Sequence, residues 1–311
     1  MLASTLSVDW GHEDWMFEVK FDGVRGILAY DGRDITITSR KGNPMAVTYP
    51  ELSGFITDEP CVIDGEIIAL DQAGNPSFGR LQTRMNIKSR AGAADAVKLA
   101  PVTFMAFDVL YYQEPVIDLP WSDRRHLLES MRFAGAPVLL SPIEEDGSAL
   151  WTAVTERALE GMVGKLKSSP YQPGVRSPDW RKIPFIHQLR AVIGGFTRGE
   201  RSRASTFGSL LLGLRDGDRL RYIGSVGTGF DQPTLRAVKT ALDQMTQADS
   251  PFHPDTDLPA GSVFVNPDLV AVIEYKEWTG PGRLRAPSFK GFTNDPWYEV
   301  TVASEGPGAD R

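Results

Sequence analysis

The run Glu18-Val19-Lys20-Phe21-Asp22-Gly23-Val24-Arg25 sets a lysine two residues before an aspartate and five before an arginine, around a glycine. A lysine attacks an electrophile only as the neutral amine, and an ordinary lysine is protonated near neutral pH. Neighbouring cations, burial or a bound metal shift that balance toward the amine, which is then competent to attack phosphorus. Arg25 and further lysines are at hand for this. The residues Met16-Phe17-Glu18-Val19 and Gly26-Ile27-Leu28-Ala29-Tyr30 predict two strands with Asp22-Gly23 as the turn between them, so that Lys20 stands at the end of a rigid strand.

More segments of chemical interest follow in order. Ser39-Arg40-Lys41-Gly42 closes a third strand-like run. Ile63-Asp64-Gly65-Glu66-Ile67-Ile68 carries carboxylate in an apolar strand, and Phe104-Met105-Ala106-Phe107-Asp108-Val109-Leu110 carries an aromatic in another. Glu160-Gly161-Met162-Val163-Gly164-Lys165 and Trp180-Arg181-Lys182 come later. Together with Phe78–Arg84 and Tyr171-Gln172-Pro173-Gly174-Val175-Arg176-Ser177, these segments resemble the nucleotidyltransferase motifs of ATP-dependent DNA ligases, most closely the ligase component of bacterial end-joining systems. The resemblance runs from the first residues to about Asp295.

It implies three phosphoryl transfers. Lys20 takes AMP from ATP and expels pyrophosphate, AMP passes to the 5′-phosphate of a nick, and the 3′-hydroxyl displaces AMP to seal the strand. Charge gathers on one phosphorus in each step, which asks for cations and metal. By the same resemblance Phe107 stacks on adenine, Arg25 contacts the ribose end, and Glu66 reaches the ribose hydroxyls. Glu18 also lines the nucleotide site, and Lys165 and Lys182 meet the α-phosphate. Glu160, with Glu66, is the carboxylate for Mg²⁺ or Mn²⁺. Asp22 and Arg40 engage the nick termini, and Arg176 contacts DNA phosphate or organises its loop. Arg198 and Arg201 are read as DNA contacts from their place in the basic run Lys165 to Arg203. A carboxylate between Ile63 and Ile67 is in any case costly to bury without a cation, metal or donor.

The chain departs from the family pattern in two places. Lys182 is followed by Ile183-Pro184 where a second lysine is usual, and Phe289-Lys290-Gly291 runs into Thr293-Asn294-Asp295-Pro296 where an arginine and a lysine are usual. Both bear on self-adenylation, with Arg283, Arg285 and Lys290 as possible substitutes. Two readings compete with a ligase: an RNA ligase or capping-type nucleotidyltransferase, which shares Lys-x-Asp-Gly, and a nick-binding repair scaffold without efficient charging. The long Tyr-Gln-Pro-Gly segment favours DNA ligase.

The elements that must hold these residues read as an α+β nucleotidyltransferase domain over 1–187, an OB-fold barrel domain over 188–303, and a disordered tail over 304–311. In the first, helices are expected at 122–133, capped by Ser122 with Arg124 and Arg125 in solvent, and at 148–159, capped by Ser148. Beyond Pro184, short strands alternate with glycine turns: Ala191–Phe196, Gly208–Leu214, a hairpin at Asp216-Gly217-Asp218, Leu220–Val226, and a last strand Val270–Trp278 before a basic loop. One helix interrupts them, capped by Asp231, with Leu235, Val238, Leu242 and Met245 on its apolar face. Short strands with one helix suit a small Greek-key barrel.

A chain of 311 residues with 41% hydrophobic and 23% charged content has the make-up of a soluble globular protein of about two domains. Its lone Cys61 cannot form an internal disulfide, and no Cys/His cluster offers a zinc site. No run approaches a membrane span, so a cytoplasmic monomer is expected. The net charge of -7 conceals a basic stretch: from Lys165 to Arg203 nine Lys/Arg face two acids, a net +7 that suits the backbone of nicked double-stranded DNA. End-joining proteins are the further partners the resemblance suggests.

Overall fold

The apolar runs on either side of Lys20 do not pair with each other. A computed structural model, describing all residues but Ala73, Asn86, Lys88, Asp310 and Arg311, places them in two different sheets. The expected hairpin at Asp22-Gly23 is therefore corrected: the segment after Val19 is a crossover. Alternating apolar residues specify which face a strand buries but not which neighbour it joins.

The chain divides into Met1–Phe185 and Ile186–Arg311. The first unit runs through β1 (Leu2–Ser4), β2 (Trp15–Val19), β3 (Val24–Tyr30), β4 (Ile35–Ser39), β5 (Cys61–Ala69), α1 (Phe78–Gln82), α2 (Arg90–Leu99), β6 (Val102–Tyr112) and β7 (Glu114–Pro115). It continues with α3 (Trp121–Ser130), β8 (Val138–Leu140), β9 (Ile143–Glu144), α4 (Gly147–Glu156), β10 (Gly161–Leu166) and β11 (Arg176–Pro184). One sheet has the order β1-β11-β10-β2-β9. The other has β4-β3-β5-β6-β7, with β8 parallel to β6. Leu28, Ile63, Ile67, Leu81 and Phe104 fill the core of the second sheet, and Phe17, Val154 and Met162 seat α4 on the first. A further cluster draws from both sheets: Met16 and Trp180 from one, Phe107 and Leu110 from the other, with Trp121 and Tyr171.

Three local expectations in this unit fail for identifiable reasons. Asp146, not Ser148, caps α4, its carboxylate accepting from the Ser148 and Ala149 amides. Helix α3 starts at Trp121, with Pro120 in the cap position and no side-chain cap; Ser122 lies inside the first turn. Arg124 and Arg125 are buried rather than solvated. Arg124 meets Asp108 through two bonds of 2.8 and 2.9 Å, and Arg125 meets Glu129 at 2.7 Å.

The second unit holds β12 (His187–Arg198), β13 (Phe207–Asp216), β14 (Arg219–Val226), α5 (Gln232–Gln244), β15 (Thr246–Gln247), β16 (Ser262–Val265), β17 (Val270–Tyr275), β18 (Glu277–Trp278), β19 (Leu284–Arg285), β20 (Ser288–Thr293) and α6 (Val302–Glu305). Its main sheet has the order β14-β13-β12-β16-β15, with β17 joining β12 to β20. Strand β12 pairs with β17 over its first half and with β16 over its second. The change falls at Gly194, where a side chain would collide with the Phe252 ring at 2.5 Å; a glycine bulge lets the strand bend and exchange partners. The result is a partial barrel of OB type.

Helix α5 is capped by Asp231, which accepts from the Thr234 amide, and it buries Leu235, Val238 and Leu242 as expected. The segment expected as a basic loop after Trp278 contains β19 and β20, and Phe289 of β20 stacks on Phe230 at 4.4 Å. The tail expected to be disordered from Ser304 contributes instead to α6: Thr301 and Ser304 form a capping box. Glu305 is buried on Arg190 at 2.8 Å; Asp310 and Arg311 lie outside the described residues. Among the described residues, no helix is long and apolar enough to cross a membrane.

Candidate active site

Lys20 sits where the chain leaves β2 for β3, its amide held by the Gly161 carbonyl at 2.9 Å. The crossover passes directly over β5. A side chain at Gly23 would run into the Ile67 carbonyl oxygen and come within 2.8 Å of Glu66 Cγ, so the glycine of Lys-x-Asp-Gly is required by close approach. Register then assembles the neighbours: Arg25 on β3 stands opposite Glu66 on β5, and Glu18 on β2 stands opposite Val163 on β10.

The Lys20 ammonium is paired with Glu160, and both side chains are largely covered. Half-buried Glu66 has its carboxyl pushed up to about 8. Burial is the main cause, Lys20 and Arg25 oppose it, and Asp64 and Glu160 add to it. Folded Glu66 thus keeps a proton that the unfolded chain releases above its ordinary value of 4.5, so its linkage lowers stability as pH rises from about 4.5 to 8. In nucleotide-free and metal-free melts, Glu66→Gln should flatten the fall in Tm of the unsubstituted protein across that window; an unaltered slope would assign it to another group.

Phe107 reaches this site because of a bulge. Asp64 pairs with Asp108 and Gly65 with Ala106, which leaves Phe107 as the extra residue of β6. Bulges re-aim a side chain in this way. The half-buried ring lies edge-on to Trp180 at 6.0 Å, with the Arg25 guanidinium 5.5 Å from its centroid and the Lys165 ammonium at 4.6 Å. Lys165 is buried. It binds Glu18 at 2.7 Å, donates to the Phe107 carbonyl at 2.9 Å, and also lies 4.4 Å from the Trp180 ring. Burial raises the Glu18 carboxyl and lowers the Lys165 amine, and each partner's charge opposes the other's shift.

The remaining positions expected at the site fall as follows. Lys182 is half-buried opposite Val163. Asp22 is half-buried in the crossover, and Arg40 is exposed after β4. Arg176 is exposed and donates to the Ala3 carbonyl at 2.5 Å. Arg198 and Arg201 belong to the second unit, where both are exposed and Arg201 adopts a φ of 50°. So Lys20, Glu66, Glu160, Arg25, Phe107, Lys165 and Glu18 come together in the first unit. The possible substitute cations near the C-terminus all have protein partners: Lys290 pairs with Glu274 at 2.9 Å, Arg285 with Glu277, and Arg283 packs on Tyr222 at 4.4 Å. Thr293 donates to Asp295 at 2.8 Å, which is also bound by Arg190 at 3.2 Å.

Asp64 and Tyr171 were not singled out from the sequence. Arg25 meets both Asp64 oxygens, through Nε at 2.9 Å and Nη2 at 2.5 Å, and Tyr171 donates to Asp64 at 2.7 Å. The signal for Asp64 was available: it lies in the same apolar strand as Glu66, and an ionised side chain there needs a cation just as much.

The site residues can hold a divalent cation only in part. The Glu160 charge adds to the upward shift of Glu66, while no group of three or more His, Cys, Asp or Glu among the described residues could hold a metal ion. This fits an ion bound by one or two carboxylates and completed by phosphate oxygens and water.

The model of the ATP dependent DNA ligase domain matches residues 1–183, and that of the ATP dependent DNA ligase C terminal region matches residues 203–296. The chain is 36% identical over 303 residues to the multifunctional non-homologous end joining protein LigD of Mycolicibacterium smegmatis, covering 95% of this chain and 38% of that protein. It is 34% identical over 288 residues to a DNA ligase of Methanospirillum hungatei, covering 88% of this chain and 50% of that one. It thus spans about half the length or less of these two relatives. The crystal structure of the ligase domain from M. tuberculosis LigD superposes with a TM-score of 0.52 at 31% identity, covering 97% of this chain and 96% of that one. A Lig E DNA ligase, at 19% identity and a TM-score of 0.62, shares the fold, covering 94% and 98%.

Proposed function

Because the chain belongs to the ATP-dependent DNA ligase family, we propose that it seals 5′-phosphate/3′-hydroxyl nicks in duplex DNA through a lysyl-AMP at Lys20, in the repair of broken ends. The observation that carries this is the meeting of Lys20, Glu160, Glu66, Arg25 and Phe107 where the two sheets of the first unit exchange the chain.

Adenine stacks on the Phe107 ring, which is braced by Lys165 of the Lys165–Glu18 pair and, edge-on, by Trp180. Arg25, its guanidinium over that ring 5.5 Å from the centroid, contacts the ribose end, with Glu66 opposite it in register. Lys20 then attacks the α-phosphorus. The Nζ–P bond forms, pyrophosphate departs with its electron pair, and the amine proton must leave Lys20, whose present partner is Glu160. Mg²⁺ or Mn²⁺ held by Glu160 and Glu66 would compete with the ammonium for carboxylate and offset charge on the phosphates. AMP next passes to the nick 5′-phosphate, with Asp22, Arg40 and Arg176 engaging the DNA and Lys182 a phosphate. The exposed Arg198 and Arg201 of the second unit meet the phosphate backbone. The protein acts as a cytoplasmic monomer alongside end-joining proteins.

The test is incubation with α-labelled ATP and Mg²⁺ or Mn²⁺, followed by nicked duplex. The label should attach covalently to the protein, leave it when the nick is added, and be accompanied by joined strands. Binding of the nick with neither labelling nor joining would establish a repair scaffold instead, and labelling by GTP without joining would indicate a capping-type enzyme.

A further inference from the structure

We infer that Tyr171 is the positioning residue that sets the Arg25 guanidinium against the nucleotide platform, an inference that rests on the functional reading above. The phenol is buried and makes two contacts with opposite charges. It donates to Asp64 Oδ2 at 2.7 Å and accepts from Arg25 Nη2 at 3.1 Å. A hydroxyl is the group that does both at once. Burial beside the Asp64 carboxylate, with the Arg25 guanidinium opposing, keeps the phenol far from ionising, so it remains a donor throughout the working pH range.

The arginine is thereby over-determined. Nε and one Nη2 bond reach Asp64, the other Nη2 bond reaches Tyr171, and Nη1 reaches the Met1 carbonyl at 2.5 Å. Four of the five donors of a guanidinium are engaged, which fixes the direction of the fifth while Cζ stands 5.5 Å from the Phe107 ring centre. Tyr171 is itself held from three sides: its amide by the Ile117 carbonyl at 2.7 Å, its ring edge-on to Trp180 at 5.8 Å, and the Arg124 guanidinium 5.8 Å from its ring centre. The bracing Trp180 also packs edge-on to Phe107. One aromatic chain therefore links the proposed base platform to the phenol that aims the ribose contact. Asp64 and the Met1 carbonyl hold Nε, Nη1 and one Nη2 hydrogen; the phenol takes the second Nη2 hydrogen and, by donating to the same Asp64 oxygen, locks the pair in one arrangement.

Tyr171→Phe keeps the ring and its packing and deletes both hydroxyl contacts. The experiment is a double-mutant cycle of Tyr171→Phe and Arg25→Ala, read as the rate constant for forming lysyl-AMP at saturating ATP, the KM for ATP, and Tm. We expect Tyr171→Phe alone to slow charging by roughly tenfold, and to add no more than about twofold when Arg25 is already alanine. A residue that merely supports the fold would slow both backgrounds by the same factor or act only through Tm, and either result would overturn the assignment. If the unsubstituted protein forms no lysyl-AMP while binding the nick, the functional reading fails, and the positioning role in charging fails with it. A charging parent with additive substitutions removes the positioning role alone.

Discussion

Lys20→Ala is expected to reduce covalent AMP labelling to background, a loss of more than about a thousandfold, with little change in melting temperature. The nucleophilic amine is the one group in the proposed first step that nothing else can replace. Its structural role is small: the side chain is a quarter exposed, and the contact it makes is the pair with Glu160, the kind of partly solvated ion pair that contributes little to stability. Sealing of a nick already carrying AMP on its 5′-phosphate should fall much less, because the Lys20–phosphorus bond takes no part in that step. Charging and sealing that decline together would make Lys20 a phosphate-binding cation. Undiminished labelling would move the nucleophile elsewhere.

The largest expected loss of stability lies beneath the site. Asp108→Ala should destabilise the first unit by about 3–5 kcal/mol, because it strands a fully buried guanidinium. For a unit of this size that corresponds to a fall in Tm of roughly 6–20 °C. Asp108 and Arg124 are both essentially inaccessible, and Arg124 also donates to the carbonyls of Leu119 and Ser169 at 2.5 and 3.0 Å. It thus ties β6, the start of α3 and the loop before β11 to one point. Asp108→Leu with Arg124→Met removes both charges and should cost less than Asp108→Ala alone. Denaturant melts of the three proteins check this; a double variant as unstable as the single would mean that Arg124's carbonyl contacts, not the charge pair, hold the unit together.

The amino-acid sequence by itself determined the order of the chemical groups and the α+β and OB-type character of the two halves. It also determined those local structures whose causes are local. Asp231 caps α5 because the acceptor and the amides it serves are three residues apart. Strand-forming runs such as Ile63–Ile68 are legible because alternation and β-branching act within a few residues. Glu66 was legible as a group needing compensation because a carboxylate amid isoleucines is costly anywhere.

Tertiary structure alone decided the partners. Whether the run before Lys20 pairs with the run after it, or with Gly161–Leu166 far along the chain, depends on contacts between distant residues. Arg124 looks solvated on a helical pattern and becomes buried only because Asp108, sixteen residues earlier, meets it. Phe107 faces the Lys165–Trp180 side through an extra residue in the β5–β6 register. The phenol of Tyr171 finds Asp64 across 107 residues. A side chain's own chemistry and its near neighbours set what it can do; the register and crossing of remote strands set what it meets, and those depend on how the whole unit buries its apolar faces.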